Sequence, residues 1–527
     1  MIEFQVVCFI AVVLIVSLLT MLSEIIKVAY PILLVVAGLL LSFIPSVPKI
    51  ELEPELVFIL FLPPLLYEAA AANSWKALWR WRNMITLFAF GVVFITSCAV
   101  ALLANHIIPG FSIALGFLLG GIVSPPDAVS AGAIMKFVKV PRNLATVLEG
   151  ESLFNDASSL IVMKFALIAI GTGEFIVGEA ALSFVWMIFG GAGIGLLLAY
   201  GIRMMHQHLP TSANIDIVLS LITPYVLYMA AEEAGASGVI ATVSGGLYIS
   251  QHNVLFMDSS SRLRGSNVWA SFTFLLNGFV FLLIGLDLPE IVEGIRADGG
   301  SLAEATVYGL AFSALLILVR MAVAYGAAWT HRLTCCRRPG GEHHFLGKGT
   351  PFILGWSGMR GVVSLAAALS VPLTVGDGWP FPQRSMIIYI TFIVILVTLI
   401  LQGLTLPLFI RRTRFPNFHD YLPEEEAERI IRQGLAKTSL DYLHEHPTQS
   451  ADESRVLQGM VAHWSEQLET EDAQPLFGPV RDTYTEILRQ QRLYLWHLNR
   501  DNPQIDEETI RHFSNRIDIE EERLKSE

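Results

Sequence analysis

Gly-Gly-Ile-Val-Ser-Pro-Pro-Asp, residues 120–127, interrupts an apolar run that is long enough to cross a membrane. Two consecutive prolines remove two backbone donors and clash with the preceding helical turn, so a helix has to break here. Carbonyl groups freed inside a bilayer are tolerated only where they face protein or a wet cavity. The stretch therefore predicts a discontinuous membrane helix with Pro126 and Asp127 at its break.

A second interruption, Gly-Trp-Ser-Gly-Met-Arg-Gly at residues 355–361, places Arg360 inside another apolar segment. The two interruptions lie seven membrane spans apart, so their helices cross the membrane in opposite senses. This pattern predicts an inverted repeat whose broken helices meet at a midplane site. Half-helix ends carry partial charges, which makes Asp127 and Arg360 their candidate partners. The alternative is that each segment is only a kinked packing helix.

The composition is that of a polytopic helical membrane protein. The 527 residues are 53% hydrophobic and 16% charged, with a mean hydropathy of +0.56, whereas soluble domains are about 25% charged. The apolar runs are too long for the alternating strands of a β-barrel, and the first run lacks the features of a cleaved signal. Thirteen spans are predicted, at residues 4–23, 29–45, 55–72, 83–106, 112–136, 148–171, 179–205, 213–232, 236–252, 266–289, 300–332, 350–373 and 384–411.

Basic residues predict the orientation of these spans. Loops after odd-numbered spans, with their flanking ends, hold seventeen Lys and Arg, whereas loops after even-numbered spans hold three. The positive-inside rule then places the N-terminus outside and the C-terminal tail in the cytoplasm. We expect a multi-pass protein of the inner (plasma) membrane, with the lipid bilayer as its surroundings.

The charge balance changes at about residue 414 and predicts two domains. Residues 1–414 hold 23 Lys and Arg and 23 Asp and Glu, whereas residues 415–527 hold 12 and 24, so the net charge of −12 belongs to the tail. Such an acidic tail is a poor binder of nucleic acid. Helical spacing in 454–469 and 481–499 predicts a helical cytoplasmic domain. It is either a solvated cap or dimer contact, or a regulatory module.

Span six begins with the cluster Glu-Gly-Glu-Ser-Leu-Phe-Asn-Asp, residues 149–156. An ionisable group in a membrane helix costs about 3 kcal/mol on insertion scales, so it is expected to face a cavity or a partner. Helical spacing puts Ser152 and Asp156 on one face, within reach of a common ligand. Glu151 points elsewhere and is better placed to hold a neighbouring helix. Glu149 lies either at the mouth of a pathway or simply at the helix start.

These motifs resemble the bacterial branch of the sodium/proton exchanger family, the monovalent cation:proton antiporters, over about residues 1–414. The matching motifs are Phe-Leu-Pro-Pro-Leu-Leu-Tyr-Glu-Ala-Ala at 61–70, Ser-Pro-Pro-Asp at 124–127, the cluster at 149–156 and Gly-Met-Arg-Gly at 358–361. The resemblance implies an all-α polytopic fold of about thirteen transmembrane helices, with inverted repeats and two broken crossing helices. It also implies a core domain, a dimerisation domain, a homodimer and an elevator-like alternation of access, with no cofactor.

The resemblance also assigns roles to single residues. It makes Asp156 the carboxylate that binds either a cation or a proton, and it places Asp127, Ser152 and Glu68 around the same cation. Asn155 stands as in the electroneutral branch, because electrogenic relatives carry a second aspartate there. One proton per Na⁺ is then the simplest cycle, unless another carboxylate such as Glu68 carries an additional proton.

Three further residues match structural positions of the family. Glu151 and Arg320 match an ion pair between spans six and eleven, and Arg360 matches the arginine of the span-twelve crossing. One departure is Pro126, which replaces a threonine found in many relatives. If only the backbone carbonyl at this position coordinates the cation, proline serves equally well. If the threonine hydroxyl takes part, cation affinity or the choice between Na⁺ and K⁺ would differ.

The expected function is secondary active exchange of protons for a monovalent cation, serving pH and Na⁺ homeostasis. Oxygen ligands suit hard cations, so Asp156, Asp127 and Ser152 are expected to hold transported Na⁺, K⁺ or Li⁺. Lys164 is expected to line the pore or meet the lipid interface rather than pair with Asp156. Alternatives are a channel or symporter, an intramembrane aspartyl protease using both aspartates, and a sensor on the same scaffold. No repeated filter motif supports a channel, and proteolysis does not explain the inverted repeat.

Overall fold

The computed structural model describes residues 2–44, 54–138, 140–173, 177–209, 212–257, 259–297, 299–335, 349–375 and 379–413, together with positions 415, 517 and 519. The chain divides into two compact units, Met1–Phe418 and His419–Glu527. The tail helices predicted at 454–469 and 481–499 lie outside the described residues. The tail domain therefore stays a prediction.

The first unit is a bundle of membrane-length helices. Within the described ranges, seven helices are long and apolar enough to cross a membrane, and four shorter apolar helices accompany them. The predicted all-α polytopic fold, with two of its helices broken, is confirmed. In span order the helices are Ile2–Ile26; Tyr30–Ser42; Pro54–Ala72; Trp75–Arg80, Arg82–Thr86, Leu87–Val92 and Val93–Ile107; Ile113–Val123 and Ala128–Met135; Arg142–Thr172; Val177–His208; Ala213–Glu233; Gly238–Phe256; Ser259–Leu286; Leu302–Cys335; Thr350–Trp356 and Val362–Leu369; and Arg384–Val397, Thr398–Gln402 and Gly403–Arg412.

A short helix and a two-stranded ladder lie between these spans. A short helix, Leu288–Ala297, joins spans ten and eleven. Two antiparallel strands, Thr374–Val375 and Trp379–Pro380, precede span thirteen. Span six also begins at Arg142, immediately after Pro141, rather than near residue 148. Hydropathy marks where a chain enters lipid, whereas helical hydrogen bonding continues into the polar boundary, so the apolar pattern underestimates the length of the helix.

The spans pack into two groups. In the first group, span two packs against span ten, and span nine packs against spans three, seven and eight. In the second group, span five packs against spans four and six, while span eleven packs against spans twelve and thirteen. The second group thus holds spans four to six and eleven to thirteen, two trios that each have a broken middle helix. Span three of the first group contacts span six, and both span three and span ten contact the second half of span twelve.

Glycines bring span five close to both of its neighbours. A Cβ added at Gly120 would lie 2.8 Å from the Cα of Ser97 in span four. A Cβ added at Gly121 would lie 3.0 Å from the backbone nitrogen of Met163 in span six. The first distance is shorter than real Cβ contacts allow, so only glycine permits the approach at residue 120, and the second is at the tight end of such contacts. The break in span five is consequently held tightly between spans four and six.

Candidate functional site

The two helix breaks meet each other directly. Span five is interrupted between Val123 and Ala128, and span twelve between Trp356 and Val362. The backbone N–H of Asp127 in the first break donates to the carbonyl of Met359 in the second, at 2.7 Å. The crossing therefore satisfies part of its own freed backbone, as a broken membrane helix requires.

Arg360 neutralises the carbonyl ends at this crossing. Its side chain is buried, and its Nε donates to the carbonyl of Val123 at 2.9 Å while Nη2 donates to the carbonyl of Ser124 at 3.2 Å. Its Nη1 donates to the carbonyl of Gly358. The last carbonyls of a helix lack partners within it and carry partial negative charge. One guanidinium thus serves the first half-helix of span five and the break of span twelve.

Asp127 lies at the amino-terminal ends of the half-helices, whereas Arg360 contacts their carbonyl ends. Its Oδ1 accepts from the backbone N–H of Val129 at 2.9 Å, and its Oδ2 accepts from the Oγ of Ser130 at 2.5 Å, so it caps the helix Ala128–Met135. The same carboxylate lies against Gly361, where any added Cβ would overlap Oδ2. Gly361 is the N-cap residue immediately before the second half-helix of span twelve. Asp127 therefore lies at the positive ends of both second half-helices.

Glu151 and Arg320 form a two-pronged ion pair between spans six and eleven. Both side chains are about 1% exposed, and Nη2 donates to Oε2 at 2.8 Å while Nη1 donates to Oε1. Arg320 Nε also donates to the carbonyl of Leu354 at 3.1 Å, near the end of the first half-helix of span twelve. Its guanidinium carbon lies 5.6 Å from the ring centroid of Phe88 in span four. The pair thus joins four spans of the second group.

Asn155 faces the break in span five. Its Nδ2 donates to the carbonyl of Pro126 at 3.0 Å, and its side chain is fully buried. Its Oδ1 is buried without a hydrogen-bond partner among the described residues. A carbonyl oxygen has two lone pairs, so the oxygen of Pro126 can accept one further contact. Asn155 therefore braces the break and leaves Asp156 as the carboxylate that faces the adjacent cavity.

A cavity of about 330 Å³ lies between the two groups of spans, with room for about ten water molecules. Asp156, Asp127, Ser152 and Glu68 line it, and Glu149 lies at its edge. Asp156 is only 5% exposed, and no hydrogen bond to its carboxylate is found in the described part of the chain. The exposed residue Glu149 lies seven residues beyond the start of its helix, which places it at the mouth of the cavity rather than at the helix start.

Lys164 does not pair with Asp156. Its Nζ lies 2.7 Å from Oε2 of Glu232 in span eight, and both side chains are partly exposed. The other oxygen of Glu232 accepts from the backbone N–H of Gly238 at 3.0 Å. The pair therefore bridges the two groups of spans away from the cavity, and partly exposed pairs of this kind contribute little to stability.

Three polar residues that support the crossing were missed in the sequence. Ser130 supports Asp127, and its place at the third helical position, which an N-cap side chain reaches, was a readable signal. Ser158 Oγ donates to the carbonyl of Ala89 at 2.5 Å, and Thr398 Oγ1 accepts from the backbone N–H of Arg360 at 3.1 Å. Ala89 and Thr398 lie in π-helical turns. Such turns often occur at functional sites; Gly91 lies in the first of them, whereas the second contains neither proline nor glycine.

The cap and the charge of Asp127 can be separated by substitution. Asparagine caps helices as well as aspartate does, whereas alanine costs about 1 kcal/mol at such a position. We expect Asp127→Ala to lower the unfolding temperature of the detergent-solubilised protein and Asp127→Asn to change it little. Asp127→Asn is nevertheless expected to impair any transport of cations, because it removes one of the charges that line the cavity. Normal transport in a folded Asp127→Asn variant would restrict this residue to capping.

Comparison with known proteins identifies the family. The profile of the transmembrane sodium/hydrogen exchanger family matches residues 10–412. The chain is 35% identical over 385 residues to a Bacillus pumilus protein named "Sodium, potassium, lithium and rubidium/H(+) antiporter". That alignment covers 72% of this chain and 57% of the relative. This chain is also 32% identical over 523 residues to an uncharacterized Na(+)/H(+) exchanger of Mycobacterium tuberculosis. That second alignment covers 96% of this chain and 93% of the relative.

A solved structure shares the fold. The sodium proton antiporter MjNhaP1 from Methanocaldococcus jannaschii aligns with a TM-score of 0.61 and 19% sequence identity. The alignment covers 78% of this chain and 99% of that one. The family profile, which spans most of the membrane unit, agrees with the motifs at the crossing and in span six. This chain belongs to the sodium/hydrogen exchanger family, a family of secondary transporters rather than enzymes.

Proposed function

We propose that this protein exchanges protons for Na⁺ or a related alkali cation, and that both ions compete for the carboxylate of Asp156. The observation that carries the proposal is the position of Asp156, buried beside the cavity of about 330 Å³ with no hydrogen bond to its carboxylate in the described part of the chain. A buried carboxylate without a partner is unstable as an isolated charge. It therefore needs either a proton or a cation.

The cavity offers the oxygen ligands that an alkali cation needs. Ser152 and Asp156 line it from span six, and Asp127 and Glu68 line it from spans five and three. All are oxygen ligands, which suit hard cations. The carbonyl of Pro126 already accepts from Asn155 and retains one lone pair that a cation could use. These oxygen atoms could together coordinate a partly dehydrated cation, with Asp156 as the main ligand.

The cavity reaches the surface beside the crossing region, and we propose that this is one of two openings that alternate in giving access to Asp156. Ala72 and Glu149, both exposed, mark the opening. These residues lie beside the loops that are rich in Lys and Arg, which we propose face the cytoplasm. The structure would then represent an inward-facing state of an inner-membrane protein whose N-terminus is outside. A homodimer and a role in pH and Na⁺ homeostasis belong to the same proposal.

The exchange is proposed to be electroneutral. Asn155 contributes a neutral amide beside Asp156 and uses it to brace the break in span five. With one carboxylate loaded by either ion, each cycle moves one proton against one monovalent cation. No net charge then crosses the membrane.

Proteoliposomes test this function. With an imposed pH gradient, we expect Na⁺ to dissipate the gradient, at a rate unchanged when valinomycin and K⁺ clamp the membrane potential. Because the name of the Bacillus relative includes four alkali cations, the Na⁺ measurement should be repeated with Li⁺ and Rb⁺ at several pH values, and with K⁺ in the absence of valinomycin. Empty liposomes provide the control. A rate that follows the potential would contradict electroneutral exchange, and the absence of any cation effect would contradict the function itself.

A further inference from the structure

Asn277 is a polar residue within an apolar stretch of a membrane helix. It lies in span ten, the helix Ser259–Leu286, within the segment Phe-Leu-Leu-Asn-Gly-Phe-Val-Phe at residues 274–281. Its side chain lines the same cavity as Asp156, and the residue is 9% exposed. Polar groups at this depth are expensive and are usually retained for a function.

The amide of Asn277 does not hold the fold together. Its Oδ1 is buried and accepts no hydrogen bond from any described residue. Buried polar atoms normally have partners, and leaving one without a partner lowers stability. The oxygen and nitrogen of an asparagine amide exchange places by a half-turn of the side-chain amide. The unpartnered oxygen can therefore turn to a ligand in the cavity at little cost.

We propose that Asn277 is a cation ligand that the first group of spans contributes to the site around Asp156. A neutral amide oxygen suits an alkali cation, which binds carbonyl-type oxygens readily. The cavity holds about ten water molecules, so the contact is direct or passes through one water. This inference rests on the proposed function and extends it by naming a ligand that, like Glu68, belongs to the first group of spans.

The chain around Asn277 is anchored to the first group. Gly278 packs so closely against Val16 of span one that a Cβ added at residue 278 would overlap the Val16 side chain. The ring of Phe279 stacks on Phe61 of span three, with centroids 5.7 Å apart and planes 12° apart. Span ten also packs along span two. Asn277 is thus fixed to the first group, whereas Asp156 belongs to the second.

This division predicts a ligand that acts in only one state. Alternating access requires the two groups to move relative to each other. Asn277 faces the cation while the cavity opens at Ala72 and Glu149, and it loses that contact when the cavity opens to the other side. Its contribution to cation affinity therefore belongs to one side of the membrane.

The variant Asn277→Leu tests this role in proteoliposomes of determined orientation. We expect the Na⁺ concentration for half-maximal exchange to rise roughly three- to tenfold, as for the loss of one neutral contact. The rise should occur only when Na⁺ is applied to the side at which Glu149 opens. The ratio of Na⁺ to K⁺ and Li⁺ affinities should change as well. The pH profile at saturating Na⁺ should not, since an amide does not titrate in this range.

The control is Asn267→Leu, an exposed asparagine ten residues earlier on the same helix, which should leave half-saturation unchanged. The unfolding temperature of Asn277→Leu should equal or exceed that of the unsubstituted protein, because the change removes an unpartnered buried group. If the leucine variant fails to fold, Asn277→Asp tests the same role. The added carboxylate should lower the Na⁺ concentration for half-maximal exchange when Na⁺ is applied to the side at which Glu149 opens.

Unchanged Na⁺ half-saturation on both sides, or an equal rise on both sides, in a folded variant overturns the role of Asn277 while leaving the exchange function intact. Unchanged half-saturation in Asn277→Asp has the same consequence. Absence of exchange in the unsubstituted protein overturns the proposed function and this inference together, so the two failures are distinguishable.

Discussion

Asp156→Asn is expected to reduce cation-dependent dissipation of a pH gradient to the level of empty liposomes. The asparagine amide can still contribute an oxygen to the site, but it cannot exchange a proton for a cation. Because the carboxylate of Asp156 has no hydrogen bond in the described part of the structure, the substitution should change the free energy of unfolding by less than about 1 kcal/mol. The loss of activity would then be separate from any loss of folding.

The matched control for this variant is Glu304→Gln, which neutralises an exposed carboxylate at the start of span eleven. It should exchange Na⁺ at the rate of the unsubstituted protein. Gel filtration and thermal unfolding of both variants establish that they fold. Retained exchange in a folded Asp156→Asn variant would contradict the assignment of Asp156.

Glu151→Gln is expected to produce the largest loss of stability, about 3–5 kcal/mol, since it leaves the guanidinium of Arg320 buried without its counter-charge. Arg320 also holds the carbonyl of Leu354 at 3.1 Å, so its displacement would disturb the first half-helix of span twelve. The measurement is the unfolding temperature of the purified protein in detergent, with the amount of folded protein recovered from membranes as a second readout.

The double variant Glu151→Leu/Arg320→Met is the comparison for this prediction. Replacing both members of a buried ion pair by apolar residues is often neutral or stabilising, whereas breaking the pair is not. We therefore expect the double variant to recover most of the stability that Glu151→Gln loses. A Glu151→Gln variant as stable as the unsubstituted protein would show that the pair does not stabilise the crossing.

Much of the fold was predictable because strong local signals coincide with it. Pro125 and Pro126 cannot continue a helix, and the structure breaks span five there. The second break, next to Arg360, is less certain in sequence because glycine is common in membrane helices. It became predictable only when paired with the first. The alternation of basic loops supported the span count, since one missed span would have scrambled it.

The site was only partly predictable, for a physical reason. Helical spacing placed Ser152 and Asp156 on one face because contacts within a helix follow from its period. Contacts between helices do not, so nothing in the sequence showed that Thr398 would accept from the backbone of Arg360. Asn277 was not singled out from the sequence, although an amide within an apolar stretch is a readable signal. The π-helical turns, Leu87–Val92 and Thr398–Gln402, depend on packing and left no mark in the sequence.

The central claim is that one carboxylate is occupied by either a proton or a cation, and proton release on cation binding tests it most directly. Na⁺ is added to the purified protein in weakly buffered detergent solution while the pH and the bound Na⁺ are followed. At pH values where Asp156 is mostly protonated, we expect about one proton released per Na⁺ bound, and an apparent Na⁺ affinity that falls by up to about tenfold per unit fall in pH. Asp156→Asn should release none. Na⁺ binding without proton release, or with an affinity independent of pH, would contradict the account.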